Sequence, residues 1–233
     1  MADDIKPKMP VRRDDSVNPI ADWYIHNPII RGLVAAVPYA GGGLDVAIAT
    51  KIDDMARKRV ERLFESLERG EFQLTEEVVK SDEFLHRFVI VARAVTTQGQ
   101  NEKIDLFASL LKNGASSKQL GSAEYEELVQ ILDTLSIREL TLLELMEENM
   151  QSLPVERGRP VPAPSEFWNR VVGKVSDSLG VRKDELAAML TRVQRTGCYV
   201  ENPSTSWDIG GHQGYTTALW RKFRKFVLDK AEA

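Results

Sequence analysis

The end of the chain constrains the fold most. Leu186 to Val193 carry helical spacing, and Arg195-Thr196-Gly197 stops that helix. A short apolar run, Cys198-Tyr199-Val200, then enters a polar, Gly-rich loop from Glu201 to Gly214. Tyr215-Thr216-Thr217 returns the chain to a basic helix that ends near Lys230, with Thr217 placed to cap it. Helix, strand, long loop, strand, helix is a restrictive order, because two short apolar runs flanking a turn-rich loop are satisfied by pairing with each other.

Upstream, the patterning is helical throughout. Leu44, Ile48, Ile52, Met55, Val60, Leu63, Phe64 and Leu67 predict one long amphipathic helix stopped near Gly70. Ser81 caps a helix with Phe84, Phe88, Ala92 and Val95 on one side. Asn101 is expected to cap the next, which carries Ile104, Phe107, Ala108 and Leu111 and closes at Asn113-Gly114. Ser122 is expected to cap a fourth helix. Ser136 with Glu139 has the spacing of a capping box for a fifth, Ile137 to Asn149. The prolines at 154, 160, 162 and 164 with Gly158 argue against regular structure over 151–165. Phe167, Val171, Val172 and Val175 mark a further helix ending at Gly180.

These elements predict a mainly α fold. An N-terminal helical bundle is followed by a winged-helix-like module with a short β-hairpin. The expected organisation is a tail over 1–19, a bundle with a Gly-rich hairpin over 20–120, and the module over 121–233 with the Pro-rich insert inside it. The segment LTRVQRTGCYVE, with GYTTALWRKFRKFV after the loop, resembles the closing helix, wing and final helix of bacterial winged helix-turn-helix proteins. That resemblance implies binding of nucleic acid or a protein partner and seldom implies catalysis. The stretches PYAGGGLDVAIATKI and NEKIDLFASLLKNG look like bacterial all-helical proteins of uncharacterised role.

Charge separates the two ends of the chain. The net charge is -4, which argues against a surface uniformly suited to nucleic acid. From Glu166 onward, however, Lys and Arg outnumber Asp and Glu by 11 to 8, against 20 to 27 before it. On the helix after the hairpin, Arg221, Lys222, Arg224 and Lys225 interleave with Trp220, Phe223, Phe226 and Val227. Those cations form either a solvated face or a strip for phosphate, to which Arg182, Lys183, Arg192 and Arg195 add. Arg192, Gln194 and Arg195 are the side chains a recognition helix presents, and Trp207, His212 and Gln213 are the wing candidates.

Chemistry finds little support. The three histidines, His26, His86 and His212, fall in no metal-ligand pattern, and the single cysteine, Cys198, reads as a buried small hydrophobe. Asp208 and His212 are the one candidate acid–base pair, and the loop glycines are a candidate phosphate cradle. That loop lacks the Lys-Ser/Thr of a phosphate-binding loop.

Pro28 to Ala49 is the least polar region, interrupted by Pro38 and Gly41-Gly42-Gly43. It reads as a buried helical hairpin, with two alternatives open. One is a segment over 32–49 that leaves the core and perturbs a membrane. The other is a close-packed oligomer contact through Tyr39, Gly41, Gly42, Gly43 and Val46. No secretory signal is visible at Met1. The expectation is a cytoplasmic, non-enzymatic regulatory protein acting on DNA or a protein partner, without cofactor or metal. A membrane effector and an oligomeric scaffold are the alternatives.

Overall fold

The computed structural model describes residues 46–69, 78, 81–117, 120–150, 155–156, 159–160, 165–201 and 214–229. All belong to one compact unit, Gly41–Ala233. Among the described residues are eight helices and two small antiparallel ribbons. In chain order they are α1 (Val46–Glu68), α2 (Asp82–Thr97), α3 (Asn101–Ser116), α4 (Ser122–Thr134), α5 (Ile137–Met150), β1 (Val155–Glu156), β2 (Arg159–Pro160), α6 (Ser165–Leu179), α7 (Lys183–Arg195), β3 (Tyr199–Glu201), β4 (Gly214–Thr216) and α8 (Ala218–Val227).

The predicted mainly helical class is what the chain adopts. In α1, Ala56, Val60, Leu63, Phe64 and Leu67 form the buried stripe, while Met55 is 45% exposed. At ~100° per residue, Ala56 lies ~20° from Leu63 around the helix and Met55 ~80° away, so Met55 falls off the edge of the stripe. Phe64 meets Phe88 of α2 with ring centroids 5.4 Å apart, and Phe84 lies 6.4 Å from Phe88.

The helix starts follow local chemistry. Ser81 accepts a hydrogen bond from the Phe84 amide at 3.2 Å. Ser136 and Glu139 form the reciprocal box: the Glu139 amide donates to Ser136 Oγ at 3.3 Å and the Ser136 amide to Glu139 Oε2 at 2.9 Å. Asn101 and Ser122 are instead the first residues inside their helices, preceded by Gln100 and Gly121 at the caps. A Gly121 cap offers no side-chain acceptor, and its own amide donates to Glu124 Oε2 at 3.2 Å while its carbonyl accepts from the Tyr125 amide at 2.9 Å. The α3 helix also runs through Asn113-Gly114 to Ser116, and Gly114 serves packing instead of termination: a Cβ there would come within 2.8 Å of the Tyr125 ring.

The helix ends are satisfied by other helices. The last carbonyls of a helix lack intrahelical donors and carry partial negative charge, so a cation placed there serves both needs. Lys112 of α3 donates to Ser66 O at 2.7 Å and to Arg69 O, closing α1. Arg59 of α1 donates to Thr96 O at the end of α2. Arg87 of α2 donates to Gly114 O near the end of α3, and Lys103 of α3 donates to Asp133 O at 2.8 Å near the end of α4. Four successive helices are thus each terminated by a cation from a neighbour. Burial pulls the Lys103 ammonium below its ordinary pKa against the attraction of Asp133 and Glu139. Lys112 is lowered by burial and by Arg69.

Helices α5, α6 and α7 pack in series, with β3 against α7 and β4 against α5. Gly180 (φ 60°) ends α6, with the Val181 amide donating to Ser176 O at 3.1 Å. Gly197 (φ 74°) lies between α7 and β3. The expected hairpin forms, shifted one residue toward its loop: Tyr199 pairs with Thr216 and Val200 with Tyr215, and Glu201, at the start of the expected loop, pairs with Gly214 at its end. Inside the Pro-rich stretch, where no regular structure is expected, Val155 pairs with Pro160 and Glu156 with Arg159. In a ribbon of two strands both are edges, so a proline without an N–H is tolerated.

Contacts also run across residue 120. The α4 helix packs on α2 and α3, and α8 packs on α3. Trp220, Phe223, Phe226 and Val227 of α8 are all buried, with the Trp220 and Phe223 rings stacked 5.4 Å apart.

Candidate interaction site

Strand alternation builds the candidate surface. Successive side chains on β3 and β4 point to opposite faces. Tyr199, Gly214 and Thr216 face inward and are buried, whereas the directly paired Val200 and Tyr215 are 39% and 37% exposed. Together with Met55, they are the exposed large hydrophobic side chains among the described residues. A Cβ at Gly214 would overlap the Val200 carbonyl and the Tyr199 ring, so only glycine lets the strands close there. The ribbon is fastened from below. Thr216 Oγ1 donates to the buried Glu147 carboxylate of α5, and the Thr217 amide donates to Cys198 O at 3.0 Å. Cys198 is buried, and that burial pushes its thiol pKa up.

The residues expected to meet nucleic acid have different surroundings. On α7, Gln194 and Arg195 are exposed. Arg192 is half exposed, but its Nε donates to Glu139 Oε1 at 2.6 Å. Burial by itself would raise the Glu139 pKa. The Ser136 amide and hydroxyl and the Arg192 guanidinium outweigh it and hold the carboxyl below its usual range. Arg138 of α5 adds a 3.0 Å ion pair to Glu185 of α7. The first turn of α7 is acidic, with Asp184 also paired to Arg182 at 3.0 Å.

On α8, Arg221 Nη1 lies 3.9 Å from Glu147 and donates to Thr216 O at 3.4 Å. Lys222 pairs with Glu124 of α4. Arg224 donates to both oxygens of Glu144, at 2.8 and 3.2 Å. Burial raises the Glu144 pKa, partly offset by Arg224 and reinforced by Glu148 and Asp229. Lys225 is exposed, its Nζ 5.8 Å from the centre of the Phe226 ring.

Three carboxylates of α5 therefore hold the C-terminal elements: Glu139 holds α7, Glu144 holds α8, and Glu147 holds β4 and α8. Their pairing was not legible in the sequence, where they are only acidic residues on a helix. The outward Val200–Tyr215 pair had a signal, since strict alternation forbids Tyr199 and Val200 from sharing a face.

Trp207, His212 and Gln213 lie outside the described residues, as do Tyr39, Gly41, Gly42 and Gly43. Val46 begins α1. His86 is exposed, with Nε2 3.3 Å from Glu126 Oε1. Among the described residues no three His, Cys, Asp or Glu side chains gather to hold a metal, and no helix is long and apolar enough to cross a membrane. No family model, curated protein or solved structure matches the chain.

Proposed function

We propose that the chain is a non-enzymatic regulatory protein whose winged-helix-like unit, α5 to β4, docks a protein partner through the outer face of the ribbon. The observation that carries this reading is the cross-strand pair Val200–Tyr215, two large apolar side chains more than a third exposed on a short ribbon fastened to α5. Tyrosine in such a position suits an interface anchor, since it offers large area with few rotatable bonds. The exposed Gln194 and Arg195 at the end of α7 extend the same unit with polar groups suited to an interface rim.

The electrostatics favour protein over nucleic acid. Binding to phosphates needs cations free to replace counterions. Arg192, Arg221, Lys222 and Arg224 are each paired with a carboxylate of α4 or α5. The first turn of α7 carries Asp184 and Glu185, which disfavour approach to phosphate at that end of the helix.

A photo-crosslinking side chain at position 215 tests the reading. A discrete protein adduct that disappears with Val200→Glu is expected, together with no retention of mixed-sequence duplex DNA at low or physiological ionic strength. Steeply salt-dependent DNA retention that survives Val200→Glu and vanishes with Arg195→Glu would overturn it in favour of nucleic acid.

A further inference from the structure

We infer that α8 is a clasp that joins the C-terminal ribbon to the N-terminal bundle, so that the two open as one cooperative unit and a load on the ribbon is felt in α1 and α3. The helix starts one residue after β4, at the Thr217 cap, which accepts from the Trp220 amide at 3.2 Å and donates to Gly197 O at 2.7 Å. Its first turn is keyed to the element under the ribbon. Arg221 reaches both Thr216 O and the Glu147 carboxylate that receives Thr216 Oγ1. Its middle is keyed to α4 and α5 through Lys222–Glu124 and Arg224–Glu144. Its end is keyed to α3, where Asn113 Nδ2 donates to Phe226 O at 2.9 Å and to Asp229 O at 3.4 Å. The next residue back on α3, Lys112, terminates α1. A continuous set of bonds therefore runs from ribbon to α8 to α3 to α1.

The opposing possibility is concrete. The α6–α7–ribbon segment has buried apolar residues of its own, among them Val175, Leu186, Leu190, Val193 and Tyr199. A module with its own core opens separately unless something binds it to its neighbour. The α5 carboxylates tie that segment to α5, and the clasp is the link that carries it on to α3 and α1, whether or not the ribbon is a docking surface.

Native-state hydrogen exchange on the full chain, followed against increasing urea without any ligand, decides it. The amides that close the ribbon and α8, Thr217 onto Cys198 O and Leu228 onto Arg224 O, should merge onto the same unfolding isotherm as the slowest amides of α1 and α3. Asn113→Ala should then speed exchange in both sets by the same factor, about five-fold for one net hydrogen bond. A separate isotherm for residues 199–228 at lower urea would overturn the inference. So would an Asn113→Ala effect that is absent or confined to α8.

Discussion

Arg87 is the buried charge on which the α2–α3–α4 junction depends, and replacing it with methionine should cost about 2–4 kcal/mol. The side chain is 2% exposed. Its Nη1 donates to Gly114 O at 2.5 Å and its Nη2 to Leu120 O at 2.6 Å, while the guanidinium lies 5.0 Å from the centre of the Tyr125 ring. Two buried bonds from a charged donor contribute about 1.5–3 kcal/mol each, and the cation–π contact about 0.5–2 more. The ion pair to Glu83 adds little, because Glu83 is 66% exposed and returns to water when released. Methionine recovers part of the buried stem and relieves the desolvation of the charge, which together offset roughly half of the summed loss. Arg87→Lys should lose about half as much, since one ammonium cannot span carbonyls that a planar fork reaches together. Urea unfolding measures both, as a lower midpoint at unchanged slope. An Arg87→Met midpoint within about 0.5 kcal/mol of wild type would refute the argument that these two carbonyls depend on the guanidinium.

Other consequences follow from the same contacts. Tyr125 is fully buried and its hydroxyl has no hydrogen-bond partner among the described residues, so Tyr125→Phe should be neutral or stabilise by up to about 1 kcal/mol in thermal unfolding. Glu139 is held below its ordinary 4.5, so its contribution to stability is complete above pH 4.5 and is lost as the pH falls through the lowered value. Glu139→Gln should therefore flatten the acid limb of the stability profile, and an unchanged acid slope would contradict the Ser136–Glu139–Arg192 network. Lys112 gives a slope of the same sign at the alkaline end, for a different reason: burial disfavours its charged form. Its folded pKa is lowered from 10.5, the unfolded chain binds more protons between the two values, and stability rises with pH across that window. Lys112→Met should remove this alkaline rise and, by orphaning the α1 carbonyls, cost about 1–3 kcal/mol at neutral pH in urea unfolding. Gly214→Ala should cost about 1–3 kcal/mol and speed exchange of the Thr217 amide, because the new methyl meets the Val200 carbonyl.

The local features were legible because their causes are local. Ser81, the Ser136–Glu139 box and the Thr217 cap each act within three residues, and the stop at Arg195-Thr196-Gly197 is a glycine at positive φ. Hairpin pairing could be read because two short apolar runs beside a polar loop have few other ways to satisfy their backbones. At Asn101 and Ser122 sequence reasoning placed the helix start one residue late, since the caps are Gln100 and Gly121. Neither cap makes a side-chain bond to its helix, so the side-chain chemistry that a sequence displays does not mark them.

The buried cations and the partners of the C-terminal basic strip were not legible. The bonds involved join Arg87 to Gly114, Arg192 to Glu139, Arg224 to Glu144 and Lys222 to Glu124, across 27, 53, 80 and 98 residues of chain. Composition reports a surplus of positive charge toward the end. It does not say whether that charge faces solvent or lies against carboxylates brought in from α4 and α5. By itself the sequence determined the helices, the caps at Ser81, Ser136 and Thr217, and the ribbon, because backbone geometry and side-chain periodicity act over one or two turns. Only the tertiary structure decided which charges are paired with carboxylates and which apolar pair stays partly exposed, because Coulomb attraction and burial depend on distance in space and not on separation along the chain.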